Sequence, residues 1–163
     1  MLIKIKHNMN KFGIYIALAA VLVFSTATKE KTDCDVKILK NELTKELRPD
    51  YKYDSSNISK FVLNTESQEK EIKVPLFSGE SYRMLFNTAA LPSNFEIQVF
   101  DKPKTAKNRK LLFSVKDSDG IEDHVFMYEP KKAQPMYINY ILPSSNEGDV
   151  YGCAVFLMGY KVN

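Results

Sequence analysis

The sequence predicts a mainly β protein: a single antiparallel β-sandwich, jelly-roll-like, of about eight strands, with one N-terminal helix. Three observations carry this. Short segments rich in β-branched and aromatic residues recur from Ile58 to the C-terminus, several of them alternating apolar with polar side chains. Clusters of Gly, Pro, Asn, Asp and Ser separate them. No helical pattern stands between any two, as a parallel α/β sheet would need. With 163 residues, 44% hydrophobic and 26% charged, the chain has a globular composition and room for one domain plus a leader.

The leader comes first. Lys4, Lys6 and Lys11 precede the uncharged apolar run FGIYIALAAVLVF (12–24), which ends in Ser25-Thr26-Ala27. A basic start, an apolar stretch and a small-x-small site describe a cleaved signal peptide, residues 1–27. The competing reading is an uncleaved anchor, but this run is shorter than the roughly 20 apolar residues a spanning helix needs. Lys29, Glu30 and Lys31 also close it abruptly. A lipidated Cys34 is disfavoured because Thr32 and Asp33 stand directly before it. The expected location is periplasmic or extracellular, with no transmembrane anchor after processing. The leader carries three of the 23 Lys and Arg and none of the 20 Asp and Glu, so the mature chain would hold 20 of each. Near neutrality leaves no global field for DNA or RNA, and nucleic-acid binding is not expected.

Residues 28–50 form the helical segment. Thr32 and Asp33 are candidate caps, and Val36, Leu39, Leu43 and Leu47 recur at spacings of three and four, forming one apolar stripe. Pro49 stops the helix. Only Cys34 and Cys153 remain after cleavage, and in an oxidising compartment one disulfide is the economical expectation, with two free thiols as the alternative. It would dock the helix start onto the last strand.

Residues 51–163 are the sandwich domain. Tyr51 and Tyr53 alternate with polar residues, and Asp54-Ser55-Ser56-Asn57 reads as a turn. The strand candidates are 58–64, 70–77, 81–87, 95–101, 110–116, 124–129, 135–142 and 150–161. Phe95, Ile97 and Val99 share one face, as do Met136, Ile138, Tyr140 and Leu142. The last segment is apolar on both faces from Cys153 to Met158, which places it centrally in a sheet, with one face available to the helix. Gly152 and Gly159 within it permit a bulge or a close backbone approach.

The layout from Val74-Pro75-Leu76-Phe77-Ser78-Gly79-Glu80-Ser81-Tyr82 through FEIQVFD to PMYINYIL and VYGCAVFLMGYK resembles pre-peptidase C-terminal-type β-sandwich domains. It is also similar to small exported proteins of Bacteroidota-like bacteria. The resemblance implies an accessory or binding role and transfers no site residue.

The chemistry is sparse. His124 is the one histidine beyond the leader, and there is no Gly-x-Ser-x-Gly elbow, phosphate-binding loop or zinc ligand set. The sequence therefore predicts a non-enzymatic module without cofactor. Glu96, Asp101, Glu122 and Glu129 are the acids a hydrolase would have to use. Asp117-Ser118-Asp119-Gly120 reads first as a turn; Asp117 and Asp119 are a weak calcium candidate, since the later bidentate glutamate is missing. The segment 101–110 carries Lys102, Lys104, Lys107, Arg109 and Lys110. It is expected to be a solvated hairpin tip, or a contact for an acidic partner. Tyrosines make up half the aromatics beyond the leader, and Tyr51, Tyr53 and Tyr137 are candidate partner contacts. The expected function is an exported accessory module binding an envelope or surface protein. The alternative is a carbohydrate- or calcium-dependent ligand-binding sandwich.

Overall fold

The computed structural model describes residues 34–117, 124–146 and 150–162. The chain divides into two units, and every described residue belongs to the second, Lys31–Asn163. The leader 1–27, the candidate caps Thr32 and Asp33, residues 118–120 of the acidic turn, and Glu122 lie outside the described residues.

Helix α1 spans Val36–Leu47. Its cap is Asp35, whose Oδ1 accepts the N–H groups of Lys37 and Ile38 at 3.1 Å each. These are two of the donors that a first helical turn leaves open. At the other end Arg48 is already extended, as a residue before proline prefers. Leu39, Leu43 and Leu47 are buried along the expected stripe.

Eight strands follow: β1 Lys52–Leu63, β2 Gln68–Val74, β3 Glu80–Asn87, β4 Glu96–Phe100, β5 Leu111–Lys116, β6 Val125–Tyr128, β7 Met136–Leu142 and β8 Val150–Val162. They form two four-stranded sheets in the orders β1-β8-β3-β6 and β2-β7-β4-β5, with every pairing antiparallel. The pairs are nested: β4 lies on β5, β3 on β6, β2 on β7 and β1 on β8. A long hairpin folded over on itself in this way is a jelly roll.

Prolines mark two strand boundaries. Pro75 follows β2 and Pro135 precedes β7, because proline has no N–H to give the ladder. The expected Asp54–Asn57 turn is corrected by the structure: these residues lie inside β1. Ser55, Ser56 and Asn57 pair with Met158, Leu157 and Phe156, and a register shift between Tyr53 and Ser55 absorbs the misfit. Turn propensity is a local preference, and a continuous partner strand outweighs it.

Strand β8 explains its own composition. It lies between β1 and β3, and from Gly152 to Gly159 both of its faces are buried. Ala154, Phe156 and Met158 enter the core between the sheets with Phe86, Ile97, Ile138 and Tyr140. Cys153, Val155 and Leu157 alternate onto the outer face, where Leu39, Leu43, Leu47, Leu85 and Ala90 cover them. Cys34 and Cys153 are bonded, with Cα atoms 5.9 Å apart, so the helix start is fixed to that second core. The close approaches expected at the glycines are present. A Cβ on Gly159 would lie 2.5 Å from Leu47 Cδ2 and 2.8 Å from the Lys52 carbonyl, and one on Gly152 2.7 Å from the Ala90 carbonyl.

Candidate functional site

Antiparallel strands joined by short links send alternate connections to the same end of the sandwich. Residues 48–51, 75–79, 101–110 and 129–135 therefore share one end, and 64–67, 88–95 and 143–146 the other. The first set holds eight Lys and Arg against three Asp and Glu; the second holds no Lys or Arg. Charge that is balanced over residues 28–163 is concentrated in space.

All the sequence-derived partner residues fall at this cation-rich end or beside it. Tyr51 and Tyr53 stand at the start of β1, Tyr137 near the start of β7, and Lys102 to Lys110 in the β4–β5 connection. The calcium candidate separates from them. Asp117 follows β5 at the opposite end and its Oδ2 accepts the Asn94 N–H at 2.8 Å, while Asp119 lies outside the described residues. Among the described residues no three His, Cys, Asp or Glu side chains group to hold a metal.

The 101–110 connection is folded down rather than projecting. Asp101 and Lys110 close its base: the Asp101 N–H reaches the Lys110 carbonyl at 3.2 Å, and the Lys110 N–H reaches Asp101 Oδ1 at 2.7 Å. The Lys104 N–H donates to Glu71 Oε2 at 2.9 Å, Lys104 Nζ pairs with Glu69, and Arg109 reaches Glu71 at 3.5 Å. The Arg109 guanidinium also lies 3.6 Å from the Phe100 ring centroid. Beneath them the fully buried Asn139 donates from Nδ2 to Glu69 Oε1 at 2.7 Å. The bond from Lys104, opposed by desolvation and aided by Asn139, holds the Glu69 carboxyl below its ordinary pKa. Two of the five loop cations are thus committed to the fold, and Lys102 caps the Asn108 carbonyl at 3.3 Å. Lys107 and Lys110 are exposed and carry no ion pair among the described residues.

Two concavities open at this end. One, of about 410 Å³, runs between the start of β5 and the β6–β7 connection, with Leu111, Leu112, Tyr128 and Met136 below and Lys110, Lys131 and Lys132 around it. Its acids are engaged: Asp101 as above, and Glu129 in an ion pair with Arg83 at 2.7 Å. The other, of about 460 Å³, lies at the end of α1 and is lined by Leu47, Arg48, Pro49, Tyr51, Lys52 and Tyr53. Tyr51 is buried in the helix–sheet core, and Arg83 and Lys161 stand over its ring. Tyr53 is half exposed. Its hydroxyl pKa is lowered chiefly by the bond to Ser56, then, against desolvation, by Lys40.

The remaining acids and His124 are dispersed. Glu96 is held by Gln98, Ser114 and Lys116. His124 is exposed, and its carbonyl accepts from the Thr88 N–H and hydroxyl. The sequence reading passed over Arg83, Asn139, Lys131 and Lys132. Lys131 and Lys132 were detectable by counting charge over alternate connections instead of over the whole chain. Arg83 and Asn139 left no such signal, since their neighbours come from strands far apart in sequence.

No protein-family model matches the chain, and no curated protein matches it significantly.

Proposed function

We propose that the chain is an exported, non-enzymatic accessory module whose cation-rich end binds an acidic surface of an envelope or surface protein. One observation carries the reading. Connections far apart in sequence bring Tyr53, Tyr137, Lys107, Lys110, Lys131 and Lys132 to one end of the sandwich, where these four lysines have no ion pair among the described residues. Unpaired cations beside aromatic and apolar surface suit an interface with an acidic partner. Export is supported by the leader pattern and by the bonded Cys34–Cys153 pair, which persists in oxidising compartments. No helix among the described residues is long and apolar enough to cross a membrane. The resemblance to pre-peptidase C-terminal-type domains agrees with an accessory role.

The test is mild cross-linking in native envelopes followed by affinity capture of the tagged chain. A stoichiometric protein partner, lost with Lys107→Glu and Lys110→Glu together, is the expected result. A partnerless monomer whose melting temperature rises with glycans or Ca²⁺ would replace this reading with a carbohydrate- or calcium-dependent ligand-binding module.

A further inference from the structure

We infer that the cleft between the start of β5 and the 129–135 connection takes an extended acidic peptide, laid along the free edge of β5 as an added strand. The inference deepens the partner reading above and rests on it.

Strand β5 closes one side of its sheet. Among the described residues it pairs with β4 alone, so along Leu111–Val115 its other side presents backbone N–H and C=O groups without a ladder. An edge of this kind is completed by an extended chain that donates and accepts in register. The first two residues of β5, Leu111 and Leu112, also form part of the cleft floor with Tyr128 and Met136. Leu111 is 46% exposed and so is open to apolar contact along that edge. The site therefore joins an unfilled hydrogen-bonding edge to an apolar floor.

Charge specifies the occupant. Lys110, Lys131 and Lys132 surround the floor with no ion pair among the described residues, while Glu129 is paired with Arg83 and Asp101 accepts the Lys110 N–H. An incoming carboxylate meets three cations against the one carboxylate of Asp101, so the rim stays net cationic. Side chains of an added strand alternate between its faces, so a peptide of alternating acidic and apolar residues can serve both the rim and the floor. An anionic polysaccharide would meet the lysines but has no amide row for β5. A peptide satisfies both sets of groups.

The experiment pans a random peptide library against the intact, disulfide-bonded chain and titrates the enriched peptides by fluorescence anisotropy. Enrichment of segments alternating Asp or Glu with apolar residues is expected. Charge reversal at Lys131 or Lys132 should weaken their binding about tenfold or more, as should N-methylation of alternate peptide amides. Both lysines are exposed, so circular dichroism melts should match the parent chain. Failure to enrich any peptide overturns the inference, as do enriched peptides indifferent to the lysines. Binding that survives N-methylation, or is equalled by polyglutamate, reduces the site to a charged patch and overturns strand addition. If envelope capture persists in Lys131→Glu and Lys132→Glu variants, the cleft falls while the partner reading stands. If peptides bind as expected and capture fails, the partner reading falls alone.

Discussion

Arg83 lies face-on over Tyr51, its guanidinium carbon 4.3 Å from the ring centroid. The same side chain donates from Nη1 to the Glu46 carbonyl at 2.8 Å and from Nε to Glu129 at 2.8 Å. One arginine on β3 thereby holds the last turn of α1, the start of β1 and the end of β6. An otherwise open helix carbonyl, an aromatic face and a carboxylate all need a cation there.

Replacing Arg83 by Ala should destabilise the fold by about 2–3 kcal/mol, because a cation–π contact and charge-assisted bonds are lost together. Lysine should restore only part, since it lacks the planar fork. Chemical denaturation measures both. The pH dependence has a defined sign. Arg83, more than any opposing desolvation, holds the Glu129 carboxyl below its ordinary pKa. Its contribution is complete above the unfolded glutamate value, about 4.3, and is lost as pH falls through the lower folded value. Arg83→Ala should flatten that acidic limb.

Gly159 is a contact point for the helix. An added methyl would meet Leu47 Cδ2 at 2.5 Å and the Lys52 carbonyl at 2.8 Å. Gly159→Ala should cost about 1–3 kcal/mol. Adding Leu47→Ala removes one clash and leaves the backbone one, so the double variant should fall short of additivity while remaining below the parent. A thermodynamic cycle measured by urea unfolding checks this.

Tyr140 is buried between the sheets, and its hydroxyl has no hydrogen-bond partner among the described residues. Desolvation pushes its pKa far up, so it stays neutral throughout the working range. An unpaired buried hydroxyl is a cost that phenylalanine avoids at nearly the same shape. Tyr140→Phe should be neutral or raise stability by about 1 kcal/mol. A drop of that size in a calorimetric melt would overturn this account of the site.

The Cys34–Cys153 bond spans a sequence separation of 119. Chain-entropy reasoning puts its contribution at about 5 kcal/mol for a loop of that length. Cys34→Ala with Cys153→Ala should lower the unfolding midpoint accordingly. Release of the helix start should also expose Val155 and Leu157 enough to raise binding of an apolar dye. Intact mass with and without reductant should differ by two hydrogens.

Much of the fold was legible because its signals are local. Alternation at Phe95-Ile97-Val99 and at Met136-Ile138-Tyr140-Leu142 needs only the pleat of one strand, and all of these are buried. The two-sided apolar run at 153–158 required cover on both faces, and the sheet and helix provide it. Local reasoning failed where a distant strand overrode it. Asp54 to Asn57 has the composition of a turn, yet Ser55 to Asn57 pair with β8. Tyr51, a plausible surface ring beside polar neighbours, is buried by the returning helix.

The sequence by itself determined the elements, their faces and the pair of cysteines available to join them, since these depend on neighbours along the chain. Tertiary structure alone decided which connections share an end, that Lys104 and Arg109 are spent on Glu69 and Glu71, and that Lys110, Lys131 and Lys132 surround one cleft. The physical reason is that charge acts through space. A count along the chain sees a neutral domain, whereas antiparallel winding sorts the same charges into ends.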